Sequence, residues 1–156
     1  MKKLLIIGGA VVAIFILIVV LTNMSNETKL KDNPYDTDQL NTATIDLIGN
    51  KHYNNIILPD ELEKKVASGD PVTAYFFSPL CGYCQEMTPI MMPIANEMDV
   101  TVYQYNLLEY PEQAAPYAIE ATPTLVHFRD GEEVGRAVGA QPEQNIRAFF
   151  DEFESD

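Results

Sequence analysis

The chain predicts an α/β domain with a central mixed β-sheet flanked by helices, preceded by one N-terminal membrane-spanning helix. Three observations lead there. An uncharged apolar run fills residues 4–21, strand-like and helix-like patterns alternate from about residue 50 onward, and an Asp130-Gly131 turn joins two strand-like runs near the C-terminal end.

The apolar run LLIIGGAVVAIFILIVVL holds no charged or amide side chain. At about 1.5 Å per residue it spans roughly 27 Å as a helix, close to the thickness of a bilayer core. A cleaved signal peptide would have a shorter apolar core and a small-residue cleavage site, and LTNMSN supplies no such pattern. A buried helix of a soluble core fits poorly with the terminal position and the Lys2-Lys3 flank. Residues 1–22 are therefore expected to be an anchor. Lys2 and Lys3 precede it while Lys29 and Lys31 follow, a tie under the positive-inside rule. The charges of the short leading tail abut the helix, whereas the following lysines are diluted by Glu27 and Asp32. That tips the expectation to a cell membrane protein with a single pass, a cytoplasmic N-terminus and an extracytoplasmic C-terminal domain.

Residues 23–49 are rich in Asn, Thr and Asp, carry Pro34 and lack a sustained apolar period, so they read as a polar tether, with structure beginning no earlier than about Ile45. Residues 50–156 form the predicted folded domain. NNIIL suggests a short strand, and Pro59 or Asp60 opens a helix over ELEKKVAS that Gly69 stops. VTAYFF, after Pro71, is the continuous β-prone run of a strand buried on both faces. MTPIMMPIANEM has helical spacing, with Pro89 and Pro93 expected to kink it. VTVYQYNL is the next strand and PEQAAPYAIE a short helix. TLVHFR and EEVGRAVG form a hairpin at Asp130-Gly131. The last helix, PEQNIRAFFDEF, puts Ile146, Phe149, Phe150 and Phe153 on one face.

Eight Lys/Arg against 23 Asp/Glu follow residue 22, within a whole-chain net charge of −13. So acidic a surface argues against nucleic acid and against electrostatic adhesion to anionic lipid.

The chain has two cysteines, Cys81 and Cys84, directly after the apolar strand. A zinc site would need a second ligand pair, and His52 and His127 are far apart in sequence with no partner at ligand spacing, so no metal site is expected. A structural disulfide closing so small a ring would remove little unfolded-chain entropy. A redox pair accounts for the position. At the first turn of a helix, free N–H groups and the helix dipole lower the pKa of Cys81, and Cys84, one turn on, can reach the same sulfur. Gly82 lets a partner chain approach closely, and Tyr83 is either a ring beside the pair or an ordinary exposed loop aromatic.

The strand, Leu80-Cys81-Gly82-Tyr83-Cys84, Pro89 five residues past the second cysteine, and Ala121-Thr122-Pro123-Thr124 downstream resemble the thioredoxin family over roughly residues 50–154. The resemblance implies a thioredoxin-like three-layer fold and a thiol–disulfide oxidoreductase with a CGYC motif. It further implies a cis Pro123 against the cysteines and a Thr122 backbone that pairs with a bound substrate strand. Val138-Gly139-Ala140 is similar to the loop lining the family's substrate groove. Without the family, Pro123 reads as a strand-start proline and residues 138–140 as a turn. The chain departs from cytosolic thioredoxins at Leu80 and Gly82-Tyr83, where they carry Trp and Gly-Pro. It also departs where they bury an acid and pair it with a lysine, since those places fall near Tyr75 and Gln104. Gly-Tyr and a Thr before the cis proline are closer to disulfide isomerases of oxidising compartments.

The expected function is extracytoplasmic reduction, oxidation or isomerisation of protein disulfides by Cys81 and Cys84. Gly82, Tyr83, Thr122, Pro123 and Gly139 are expected to bind substrate. No dissociable cofactor is required; the partners are protein dithiols or disulfides and a membrane redox protein. The alternative is a client-binding or export-accessory module without redox turnover.

Overall fold

The computed structural model describes residues 2–31 and 33–154. Two units are distinct, residues 1–38 and residues 39–156.

In the first unit α1 spans Lys2–Lys31. An 18-residue stretch within residues 7–31 has a mean hydropathy of 2.5, so the helix is long and apolar enough to cross a membrane. It does not end at the apolar boundary. TNMSNETKLK, expected to be tether, continues as helix, because it holds no Gly or Pro and places Lys29 and Lys31 in the last turn, where they oppose the dipole. Asn33 lies just past the end: its Nδ2 donates to the Leu30 carbonyl at 2.7 Å, and its Oδ1 accepts from Tyr35 N–H at 2.8 Å.

The second unit begins earlier than the expected residue 50. Helix α2, Thr42–Leu47, is capped by Asn41, whose side chain accepts from Ala43 N–H. Thr44 is fully buried. Its hydroxyl donates to Glu109 and accepts from Asn106 Nδ2 at 3.2 Å. These bonds build the end of the expected tether into the folded unit.

Helix α3, Pro59–Ser68, starts at the proline and stops at Gly69, whose φ of 84° is the left-handed cap that glycine adopts without penalty. Strand β1, Val72–Phe77, is buried at every position. Helix α4 follows over Gly82–Glu97, then β2 over Val102–Asn106, β3 over Thr124–Arg129, β4 over Glu132–Val138 and α5 over Glu143–Glu154. The sheet order is β2-β1-β3-β4, with β1 parallel to β2 and antiparallel to β3. Asp130 and Gly131 close the β3–β4 hairpin with φ of 55° and 82°, the two left-handed positions of a type I′ turn.

Alternate residues of β1 feed two apolar clusters. Tyr75 and Phe77 join Met87, Met91, Ile146 and Phe150 from α4 and α5. Val72, Ala74 and Phe76 join Leu62 of α3 with Tyr105, Val126 and Phe128 on the other face. Both halves of the hydrophobic pattern are thereby covered, giving the layered α/β/α arrangement.

Two expectations change. The NNIIL strand is reduced to one bridge, Ile56 to Gln104. There the Gln104 backbone donates to the Asn55 carbonyl at 2.7 Å and accepts from Ile57 N–H at 3.0 Å, and its side chain adds bonds from Asn55 N–H at 3.1 Å and to the His52 carbonyl at 2.8 Å. PEQAAPYAIE yields only a 3-10 turn, Ala115–Tyr117, which Ala118 ends with φ of 48°. Helix α4 includes both Pro89 and Pro93. The two prolines lie four residues apart on the exposed face, where water can serve the carbonyls they leave without donors.

Gly135 pairs with His127 across β3–β4, and the Phe153 ring stacks on His127 at 5.2 Å. A Cβ on Gly135 would enter that ring. Gly135→Ala is therefore expected to destabilise the domain by about 1–3 kcal/mol through overpacking. Urea unfolding checks this: the midpoint falls while the slope is unchanged.

Candidate active site

Strand β1 delivers the chain into Ser78-Pro79-Leu80, which three bonds fold onto the start of α4. Cys81 N–H donates to the Ser78 carbonyl at 3.0 Å and Leu80 N–H to Ser78 Oγ at 3.3 Å. Gln85 Nε2 donates to the Pro79 carbonyl at 2.7 Å. Cys81 is thereby the N-cap of α4, with extended φ and ψ of −85° and 113°. An N-cap side chain accepts the helix's free N–H groups; here Cys84 N–H donates to Cys81 Sγ at 3.2 Å.

The two thiols are free and differ in environment. Cys81 is partly exposed, while Cys84 is fully buried. Burial opposes ionisation of Cys81, but the Cys84 and Thr122 side chains and the N–H groups of Cys84 and Tyr83 outweigh it and hold its pKa below the ordinary thiol value. Burial, and then the neighbouring Cys81, push Cys84 up to about 12. One thiol is thus prepared as a nucleophile and the other is held protonated.

The remaining residues singled out from the sequence gather at the same edge, except that Gly82 and Tyr83 belong to the first turn of α4 itself. Cys81 Sγ–H donates to the Thr122 carbonyl at 3.4 Å. The Thr122–Pro123 peptide bond is cis. Gly139 N–H donates to the Pro123 carbonyl at 2.7 Å, and Gly139 has φ of 82° with open space where a Cβ would stand. Gly82 also faces open space. Leu80 and Tyr83 are about two-thirds exposed, at 66% and 67%, and Val138 is half exposed, so an apolar rim surrounds a sulfur at the surface. A groove of about 780 Å³ lined by Asp60, Glu63, Val66, Tyr117 and Phe128 lies elsewhere, beside the second apolar cluster.

Tyr75 and Gln104 are directly paired across β1 and β2 and both are fully buried. The Tyr75 hydroxyl meets Thr88 Oγ1 at 3.0 Å, and Thr88 Oγ1 donates to the Cys84 carbonyl at 2.7 Å. Tyr53 lies in the same buried cluster as Tyr75 and Cys84, and burial first of all raises its pKa, with both cysteines adding to the rise. Sequence reading noted Tyr75 only as a missing acid and passed over Thr88 and Tyr53. The available signal was Thr88 itself, a polar residue at i+4 from Cys84 on an otherwise apolar helix face.

The Thioredoxin family model matches residues 54–152. The chain is 30% identical over 97 residues to a thioredoxin of Staphylococcus epidermidis, covering 61% of this chain and 92% of that one. It is 37% identical over 90 residues to a thioredoxin of Chlamydia pneumoniae, covering 57% and 87%. Among solved structures, a mutant thioredoxin from Halobacterium salinarum superposes with a TM-score of 0.53 at 32% identity, covering 60% of this chain and 83% of that chain.

The unequal thiols set an expected outcome. Cys81 has a depressed pKa and Cys84 a pKa of about 12, so rising pH ionises Cys81 first and leaves Cys84 protonated through the neutral range. Iodoacetamide at pH ~7 should therefore modify the reduced protein once, at Cys81, with a second adduct only after unfolding. Peptide mass spectrometry reads both adducts.

Proposed function

Because the chain belongs to the thioredoxin family, whose members are thiol–disulfide oxidoreductases, we propose that it exchanges protein disulfides outside the cytoplasm while held at a membrane by α1. The observation that carries this reading is the pair of thiols three positions apart, the first partly exposed on a helix N-terminus and the second buried behind it. A helix N-terminus stabilises an anion, and the thiolate is the attacking species.

In the reducing direction the Cys81 thiolate attacks one sulfur of a substrate disulfide. A Cys81–substrate disulfide forms and the other substrate sulfur leaves as thiolate. Cys84 then attacks Cys81 Sγ, the Cys81–Cys84 disulfide forms, and the second substrate thiolate departs. Two electrons pass from the enzyme dithiol to the substrate, and the two protons that the cysteines lose end on the two substrate thiols. The reverse sequence oxidises a dithiol. Cys81 and Cys84 are the catalytic residues, and Gly82, Tyr83, Thr122, Pro123 and Gly139 form the substrate surface. Open space at Gly82 and Gly139 and the Thr122 carbonyl beside Cys81 Sγ support that assignment. A substrate strand laid against residues 122–123 would bring its sulfur to Cys81.

With two cysteines in the chain, the pair is reset by a redox partner outside it, and an anchored domain meets a membrane redox protein at high effective concentration. The extracytoplasmic placement rests on Lys2 and Lys3 abutting the apolar run. Direction of flux is set by the reduction potential of the pair against its compartment.

Replacing Cys84 by Ser leaves attack intact and removes resolution. The full-length Cys84→Ser protein is expected to accumulate covalent substrate adducts that dithiothreitol dissolves, whereas Cys81→Ser forms none; non-reducing electrophoresis checks both. Client capture that persists after both cysteines are replaced would instead support a binding module without turnover.

A further inference from the structure

On the face of the sheet opposite α4, a groove of about 780 Å³ opens between α3 and the loop over residues 112–117. That volume is in the range of sites that hold ligands. Its floor is apolar and aromatic. Phe128 is buried beneath it, and the half-buried Tyr117 meets Phe128 edge-on at 5.7 Å and Phe76 at 5.2 Å. Val66 of α3 and Pro116 of the loop complete it.

Both walls are fixed to the sheet. Arg136 of β4 donates to the Ala118 and Tyr117 carbonyls at 3.1 and 3.0 Å, which ties the loop down. Asp130 N–H donates to the Gly69 carbonyl at 2.9 Å, which ties the end of α3 to the β3–β4 hairpin. A groove built in advance spends little of an occupant's binding energy on ordering itself.

The rim carries charge of one sign. Asp60 and Glu63 stand on α3, Glu112 on the loop and Glu133 on β4. Glu133 is matched by Arg136, whose Nε donates to it at 2.6 Å. Asp60, Glu63 and Glu112 form no ion pair among the described residues. No lysine or arginine lines the groove, and Lys65 of α3 lies over the Tyr103 ring at 4.6 Å instead.

Floor and rim together set the chemistry of the occupant. The floor asks for aliphatic or aromatic side chains, and the rim asks for cations. A single water-exposed ion pair is weak, so three carboxylates on two walls suit a chain with several cations better than a small ion with one. We propose that this groove docks a basic, apolar segment of a protein partner, in which lysine or arginine flanks aliphatic residues. The aliphatic residues cover Val66, Tyr117 and Phe128 while the cations reach Asp60, Glu63 and Glu112. Docking needs no sulfur chemistry; it goes beyond disulfide exchange by letting the domain select a partner by charge.

The probe is a fluorescein-labelled octapeptide of alternating lysine and valine, free of cysteine. It is titrated at low salt with the full-length protein in neutral detergent micelles, and anisotropy above that of empty micelles reads binding. Comparison peptides replace valine by glycine or lysine by serine, and each is expected to bind roughly tenfold more weakly or worse. Removing the rim charges with Asp60→Asn, Glu63→Gln and Glu112→Gln is expected to weaken the lysine–valine peptide roughly tenfold, the product of three exposed pairs of ordinary strength. Ala67→Lys, at an exposed position lining the groove, is expected to weaken it as well. Removing three exposed charges elsewhere, with Asp46→Asn, Asp99→Asn and Glu152→Gln, is expected to leave it unchanged, which separates the groove from the net charge of −13. No binding above empty micelles, equal loss in the two triple variants, or equal affinity for the lysine–glycine peptide overturns the proposal. Spermine that competes as well as unlabelled peptide assigns the groove to a small polycation and overturns it too. Because the probe has no cysteine, none of these results bears on the oxidoreductase reading, which the Cys84→Ser adducts test by themselves.

Discussion

Strand β1 has no side that faces water. Its six residues are all buried, so every position must be matched by a packing partner on one face or the other. Fully burying a large apolar side chain contributes about 1.5–3 kcal/mol, and Tyr75, Phe76 and Phe77 are all fully buried. That constraint places α4 and α5 on one face and α3 on the other, and it requires hydrogen-bonded strands on both edges, supplied by β2 and β3. It also fixes where the strand ends. The exit of β1 lands Ser78-Pro79-Leu80 at the head of α4, and Cys81 becomes the cap, its sulfur taking the free N–H of Cys84.

From this single junction the chemistry divides. Two residues separate a sulfur that receives helix N–H groups at the surface from one buried a turn deeper, and the two thiols diverge in acidity in opposite directions. The hydroxyls of Tyr53, Tyr75 and Thr88 beneath them are polar without being charged. Such a floor avoids the desolvation cost of a buried carboxylate and leaves proton movement to the thiols and their substrate. The open rim around Cys81, formed by Leu80, Tyr83 and Val138, offers apolar contact without a closed pocket. A shallow rim of this kind accommodates extended segments of differing sequence.

What could be read from the sequence was what local chemistry decides. VTAYFF declares a doubly buried strand by its unbroken β-prone run, Asp130-Gly131 declares its turn by the φ it needs, and Ile146, Phe149 and Phe150 declare one face of α5. The spacing of Cys81 and Cys84 after that strand was enough to place them on a helix N-terminus. Other features depend on partners remote in sequence. Helix α2 owes its place to Glu109 and Asn106, more than sixty residues away. The strand at Ile56 shortens to one bridge on Gln104, whose backbone and side chain both bond the neighbouring segment. The 3-10 turn at Ala115–Tyr117 replaced a helix because Pro116 and the left-handed Ala118 leave no room to propagate one. Likewise Tyr75 and Thr88 have no local signature as a pair, since their hydroxyls meet only once α4 lies on β1.

The account stands on the separation of the two thiols, and titration of the reduced full-length protein by carbon NMR of its labelled cysteine Cβ atoms tests it most directly. Two steps are expected, Cys81 ionising below the ordinary thiol value of about 8.5 and Cys84 only near a pH of about 12. Two thiols titrating together in the ordinary range would contradict the account, for neither would then be set apart as the nucleophile.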